Sequence, residues 1–531
     1  MNNFGRGDEF IIILLLTLVF YKFTQFYPFL LLSTSLLSFW IWHLYDKKRY
    51  WQKQGVPCSS TNLFFGHMNE LKSKGGGLPV TQNKKILENS LLRSMVSVLL
   101  GDDWRRVRNR ITPAFTTGKL KRIIPTIAES SNQLINYISR KYVATNEEIP
   151  LKEIFGRFTL DVIGRSGFSS DFKTFTDEDS KIVKQTLVFT NPAKNIAYFS
   201  FMGYLYIQYF SNINIIAFFP VLNSLLERFF SYDLWDIPAQ SFFHGIMSKL
   251  YDERKDDPEA KDKYNDIFQL LMNAVNDSEA SEMDNITKEQ ANEIKNELIT
   301  KQNDKYLSKI ELFAQGLILL IAGLVLNRYD TTGSVLQFAI YMLALHPEAQ
   351  AKLREEINDV LGIEDQITYE HLKSMEYLQA VVQETLRIYP PAPVSNRVCN
   401  TNLNINGINL REGDLVSVPI YSIQHNEEFY PEPEKFKPER FLREEKSSLD
   451  PITFLSFGLG PRNCIGMRFA EFQMQVVIAL IMRRFNFKTS PNTPVIKSFK
   501  KILTNSIDSE TTPGTRLNDA FTSKGKTCGF G

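Results

Sequence analysis

The chain has 531 residues, of which 43% are hydrophobic and 23% charged, enough to fill a large core beneath an ordinary polar surface. A net charge of only +2 argues against nucleic acid as a partner. Cys58, Cys399, Cys464 and Cys528 lack the spacing of a disulfide framework, so a cysteine in a glycine-rich run reads as chemistry rather than as a staple.

The N-terminal residues differ in kind from the rest. Between Phe10 and Tyr45 the only charge is Lys22, flanked by the apolar stretches Phe10–Tyr21 and Pro28–Leu44. The second is close to the roughly 20 residues that a bilayer-spanning helix needs. It ends in Trp40, Trp42 and Tyr45 with Lys47, Lys48 and Arg49 directly behind, the order expected of a helix whose C-terminal side faces the cytosol. No convincing small-residue cleavage site follows, so residues 1–46 are expected to be a retained membrane anchor rather than a removed signal peptide. The first stretch is too short to span alone; it joins the helix, forms half a hairpin or lies flat.

Beyond the anchor, apolar spacing predicts helices over Lys119–Val143, Leu151–Phe168 and Ala239–Glu253. Asn195–Leu226 carries no charge and many aromatics; Gln208, Asn212 and Asn214 sit mid-run, which favours a core helix pair or a lid dipping into the membrane surface over a second span. Asn276–Asp304 reads as a polar surface connection, with sequons at Asn276 and Asn285 that stay bare in a cytosolic domain. A long apolar helix is expected from about Ser308 to Leu345, stopped by His346-Pro347, then helices over Glu348–Leu361 and Glu376–Ile388. Asn406-Gly407 marks a hairpin, Tyr430–Phe441 is Pro-rich and irregular, and Met467–Phe485 reads as a last buried helix. The fold class is mainly α with small β-sheets. One catalytic domain over residues 47–490 is expected on a membrane stalk, with a polar tail over residues 491–531.

The run Phe457–Gly466, FGLGPRNCIG, suits a haem held through a cysteine thiolate. Cys464 would ligate the iron and Phe457 would shield the sulfur. Gly458, Gly460 and Gly466 would let the backbone turn and approach a porphyrin. Backbone N–H groups around Cys464 would tune its electron donation, and Arg462 has the reach for a haem propionate. The plain alternative is a glycine-rich loop with a buried structural cysteine, which the order Gly-Pro-Arg-x-Cys-Ile-Gly disfavours.

That run resembles the haem signature of the cytochrome P-450 family, Phe-x-x-Gly-x-Arg-x-Cys-x-Gly. Three further motifs follow the family's order. Glu384-Thr-Leu-Arg387 matches its Glu-x-x-Arg, and Pro438-Glu439-Arg440-Phe441 supplies the arginine that completes a buried Glu-Arg-Arg set, making Glu384, Arg387 and Arg440 structural residues. Trp104 and Arg108, four apart on one helix face, match propionate partners, as does Arg397. The text around Asp103–Pro125 looks closest to animal microsomal members. The resemblance implies the cytochrome P-450 fold with an N-terminal transmembrane anchor, haem b with an axial thiolate, and a monooxygenase. Such an enzyme puts one atom of O2 into a lipophilic small molecule (xenobiotic, steroid or fatty-acid-like) and releases the other as water. It implies electrons from NADPH–cytochrome P-450 reductase or also a cytochrome b-type donor, at the endoplasmic reticulum membrane with the catalytic domain on the cytosolic side. Gly75-Gly76-Gly77 does not open a phosphate-binding turn, in keeping with a separate electron donor. Arg105, Arg106, Arg110, Lys119, Lys121 and Arg122 read equally as a basic docking face or a solvated helix face.

Two places depart from the family pattern. In its motif Ala-Gly-x-Asp/Glu-Thr-Thr, Asp330 would relay protons and Thr331 would hydrogen-bond the bound dioxygen, both as catalytic residues. Here Ala322-Gly323 is set apart by Leu324–Arg328. In a continuous helix, five residues rotate the upstream segment by about 140° and shift it about 7.5 Å. The insert therefore bulges out as a loop or π-type distortion, or it impairs oxygen binding. Near residues 67–77, HMNELKSKGG stands where the family carries several tens of residues of sheet and first helices, leaving sheet edges without partners. These departures motivate a rival reading as a catalytically silent haem-binding membrane protein. A haem-thiolate isomerase or dehydratase is a second rival, against which Asp330-Thr331 argues.

Overall fold

The computed structural model describes residues 26–55, 94–145, 147–177, 237–273, 307–324, 331–364, 366–490 and 516–519, with positions 13, 15, 16, 180, 182 and 493. Contacts divide the chain into two compact units, one of Met1–Ser90, Pro192–Leu234 and Val394–Val418, the other of Leu91–Asn191, Trp235–Pro393 and Pro419–Gly531. The stretch near 67–77, the aromatic run Asn195–Leu226 and both sequons lie outside the described residues, as does most of the tail.

In the first unit, helix α1 spans Phe26–Lys53, so the apolar run Pro28–Leu44 continues helically through the basic residues behind it. Among the described residues, no helix is long and apolar enough to cross a membrane. α1 leaves Leu31, Phe39 and Trp42 exposed. Strand β2 (Ser395–Val398) pairs antiparallel with β5 (Leu415–Val418), and between them β3 (Leu403–Ile405) pairs with β4 (Ile408–Leu410). The two-residue turn has Asn406 at φ 50° and Gly407 at φ 85°, the left-handed pair that matches the twist of a hairpin. Tyr50 of α1 ties this hairpin down, with Arg411 lying 3.8 Å over its ring.

The second unit is helical. The helices that matter here are α2 (Gly101–Ile111), α3 (Ile124–Ile138), α4 (Leu151–Phe168), α5 (Ile237–Lys255), α6 (Lys309–Leu324), α7 (Thr331–Leu345), α8 (Pro347–Leu361), α9 (Glu376–Ile388), α10 (Ile420–Gln424) and α11 (Met467–Arg484), with shorter helical turns between them. The segment expected as one helix over Lys119–Val143 is broken. A short turn at Thr117–Lys121 precedes α3, whose first turn holds Pro125, and a π-helical turn follows over Ser139–Val143. The expected helix from Ser308 to Leu345 is seen as α6 and α7, and residues 325–330 between them lie outside the described residues.

The core is built on α4 and α11. α4 packs against α3, α6 and α7, and α11 against α3, α8 and α9. Val476, Val477, Ile478, Ala479 and Ile481 of α11 are fully enclosed, burying several side chains worth about 1.5–3 kcal/mol each. A three-stranded antiparallel sheet has the order β1 (Ile149–Pro150), β7 (Arg516–Asp519), β6 (Phe487–Thr489). Its middle strand comes from the tail.

Candidate active site

The cysteine loop is fixed by its own backbone. Gly458 and Gly460 take φ of +71° and +78°, left-handed values that carry strain for any residue with a Cβ. Those turns let Cys464 N donate to Phe457 O at 2.8 Å and Asn463 N to Gly460 O at 3.0 Å, closing the loop. Gly466 differs: its φ of −87° is ordinary, and it caps the start of α11. Phe457 is half-buried, while the Cys464 side chain is exposed on the loop. Desolvation by the surrounding protein nevertheless pushes the thiol above its ordinary value. The Gly466 amide donating to the sulfur and the positive charge of Arg108 pull it down, and Glu471 pushes it up.

Helix α2 brings its two named residues to this loop. Arg108 donates from Nη2 to Asn463 Oδ1 at 3.0 Å. Its own pKa is lowered by desolvation, with the Cys464 sulfur acting the other way. Arg462 donates from Nη2 to Leu99 O at 2.8 Å, and its guanidinium lies 4.3 Å over the Trp104 ring. The i,i+4 spacing thus delivers an indole and a guanidinium to the loop side by side. Arg397 lies on β2 in the first unit, where it donates to Ser395 Oγ at 2.7 Å and Asn396 O at 2.9 Å.

Behind the loop, Glu384 and Arg387 are fully buried on α9. Arg387 forks onto both oxygens of Glu384, from Nε at 2.7 Å and Nη2 at 2.9 Å. It also donates to Gln424 O at 2.9 Å and Pro433 O at 2.7 Å. The Lys437 amide adds a 2.9 Å bond to Glu384 Oε1, and Arg440 Nε stands 3.4 Å from the same oxygen. Arg440 donates from Nη2 to Glu432 O at 2.8 Å. One carboxylate therefore gathers α9, the Pro-rich stretch and the segment leading to the loop.

On the distal side, Thr331 is the first residue of α7 and is exposed. Asp330 and Val325–Arg328 lie outside the described residues, and Ala322-Gly323 falls in the last turn of α6. Arg106 of the expected basic face points elsewhere. It makes a largely buried bidentate pair with Glu311 of α6, whose Oε2 also accepts from Ser308 N at 2.9 Å. Burial pushes the Glu311 carboxyl up, but bonds from Arg106 and Ser308 outweigh it, and its pKa lies below the ordinary value. Lys121 is also engaged, 3.7 Å over the Tyr369 ring. Ser308 and Glu311 have the S-x-x-E spacing of a capping box, a signal that sequence reasoning could have used to find the pair. Gln424, joined to α9 and to the approach to the loop, carries no such signal.

These residues fit a haem. Among the described residues no group of three or more His, Cys, Asp or Glu could hold a bare metal ion. A lone exposed sulfur suits an iron carried by a porphyrin; Arg108 favours a thiolate there, and Arg108 and Arg462 would suit carboxylate-bearing ring edges.

Such a loop, backed by a buried Glu-Arg-Arg set, is the arrangement of a haem-thiolate protein. The cytochrome P450 family model matches residues 74–511, and the chain belongs to the cytochrome P450 family. It is 34% identical over 407 residues to cytochrome P450 3A12 of Canis lupus familiaris, covering 76% of this chain and 72% of that one. It is 32% identical over 416 residues to cytochrome P450 3A5 of Homo sapiens, covering 78% and 74%. It is thus a cytochrome P450 monooxygenase whose cofactor is haem b with a cysteine thiolate as axial ligand, using O2 and electrons from a redox partner.

Proposed function

We propose that Cys464 is the axial ligand and that the enzyme inserts one oxygen atom into a lipophilic small molecule, with electrons from NADPH–cytochrome P450 reductase. The observation that carries this is the closed Phe457–Gly466 loop, which presents one sulfur beside Arg108 with the Glu384–Arg387 pair behind it. When bound, the haem supplies dioxygen activation, which thiolate donation promotes. The chain's own residues supply the setting. The Gly466 amide and Arg108 stabilise negative charge on the sulfur. Trp104, Arg108 and Arg462 would hold the propionates. Asp330 would relay protons from solvent, and the Thr331 hydroxyl would offer a hydrogen bond to bound dioxygen. Phe457 would shield the sulfur from water, and Gly458 would let the backbone turn beneath the ring.

In this reading residues 47–490 form the catalytic domain and residues 1–46 anchor it to the endoplasmic reticulum membrane, facing the cytosol. The run of apolar residues ahead of Lys47-Lys48-Arg49 supports that orientation. The test is the absorption spectrum of the reduced, CO-bound protein beside Cys464→Ala. The wild type should show the shifted band specific to a thiolate ligand and the variant should lack it. A haem-loaded wild type without that band would sink the assignment. Substrate-dependent consumption of NADPH with the reductase then tests turnover.

A further inference from the structure

Gln424 closes α10 and is fully buried. Its side-chain amide works in both directions. Nε2 donates to Arg387 O at 2.9 Å and Leu386 O at 3.2 Å, carbonyls at the C-terminal end of α9 that have no partner further along the helix. Oε1 accepts from Leu455 N at 2.8 Å. Ser456 Oγ lies 3.0 Å from that oxygen and 2.8 Å from Leu386 O, so its single hydrogen serves one or the other. The Gln424 carbonyl completes the junction by accepting from Arg387 Nη1 at 2.9 Å. One amide thus bolts the helix carrying Glu384 and Arg387 to the two residues that run into Phe457, whose carbonyl holds Cys464 N at 2.8 Å.

We infer that Gln424 is a positioning residue for the thiolate: it sets the register of Leu455-Ser456 against α9 and thereby fixes where Cys464 presents its sulfur. The inference rests on Cys464 being the axial ligand. The chemistry of the site requires an amide. Two carbonyl oxygens need donors, while one backbone N–H and one hydroxyl need an acceptor, and the neutral carboxamide carries both sets. A carboxylate would place a bare oxygen against two carbonyls. A neutral imidazole offers one donor and one acceptor, half of what is used. A leucine would leave the Arg387 carbonyl and the Leu455 amide unserved in a fully buried place, with only Ser456 left to serve Leu386 O.

The experiment uses the haem-loaded full chain with Gln424→Glu, Gln424→Leu and Gln424→His. Gln350→Leu is the comparison. Gln350 is also a buried amide, donating to Leu343 O and Phe487 O and accepting from Phe487 N, each at 2.9–3.0 Å, but it serves β6 rather than the loop. The readouts are the fraction of the CO complex in the thiolate-type band, the iron reduction potential and the rate of haem loss to a scavenger, each beside the melting temperature. Gln424→Glu and Gln424→Leu should convert at least half of the complex to the thiolate-lost form and release haem about 10-fold faster or more, the size of effect seen when a ligand's supporting partner is removed. Gln350→Leu should lower the melting temperature and leave band and potential unmoved. Gln424→His, which keeps one donor and one acceptor, should fall between, and it carries the test if the other two do not accumulate folded. Thiolate bands of wild-type size in the Gln424 variants would overturn the inference, as would an equal spectral shift in Gln350→Leu. A wild type lacking the band would remove the ligand assignment and this inference with it, an outcome separable from the first by inspection of the wild type alone.

Discussion

Glu384 is accommodated in full burial because Arg387 occupies both of its oxygens and Arg440 stands beside it. Removing one member of such a set leaves a charge without a partner, which is costlier than never having built the set. Glu384→Gln should lower unfolding free energy by about 3–5 kcal/mol, a large part of what a domain has. Urea denaturation followed by haem absorbance and by circular dichroism would measure it. A loss of about 1 kcal/mol or less, as for a solvated surface pair, would contradict the buried-pair account. At this scale legibility depended on sequence distance. Phe457 to Gly466 is a local pattern in which Gly458 and Gly460 take positive φ, so the turns of the loop could be read directly. Gln424 could not, because its partners lie 31 to 38 positions away and nothing marks it among other glutamines. Arg106 looked like one more cation on a basic helix, and only its pairing with Glu311, 205 residues along, removes it from the surface.

Among the helices, α6 is pinned at its start. Glu311 grips Arg106 of α2, and Gln315 one turn on accepts from Val96 N at 3.0 Å and donates to Ser94 O at 2.7 Å. The segment before the expected Ala322-Gly323 position is therefore tied to the helix that carries Trp104 and Arg108. Because the Glu311 pKa is lower in the fold than its ordinary value, the ionised form is the stabilised one. That stability is complete above the unfolded-state pKa of about 4.3 and is lost as pH falls through the lower folded value. Glu311→Gln should cost about 2 kcal/mol at neutral pH, the size of a hydrogen bond to a charged group, and its deficit against wild type should shrink as pH falls below the unfolded-state pKa. Unfolding midpoints measured across that range would show it. A deficit that does not change with pH would mean the carboxyl's charge is not what matters. Helix existence was readable at this scale, since Leu151–Phe168 and Glu376–Ile388 have the bounds that apolar spacing predicts. The break at Arg122-Ile123 and the π turn over Ser139–Val143 were not, because apolar periodicity is blind to which carbonyl an amide selects.

For the whole molecule, composition set the class and the N-terminal apolar run set the expected address. α1 exposes Leu31 at 72%, Trp42 at 62% and Phe39 at 61%, side chains that water solvates poorly and lipid well. If residues 1–46 are the anchor, the chain should float with lipid vesicles in a density gradient. It should stay with them through high salt and alkaline washes, and lacking residues 1–46 it should be released. Retention of the shortened chain at full strength would place the membrane contact elsewhere.

The small sheet has a bearing on how the protein comes into being. β7 lies between β1 and β6 and pairs Leu517 with Ile149, partners about 370 residues apart along the chain. While the ribosome is still at work, Ile149-Pro150 can find no mate, and α4 leaves directly from that strand. The pairing of Ile149-Pro150 is then made only after residues 516–519 have emerged, and it carries the closure entropy of a loop of that length. A nascent chain halted before residue 516 would wait with two open strand edges, in the condition that chaperones exist to guard.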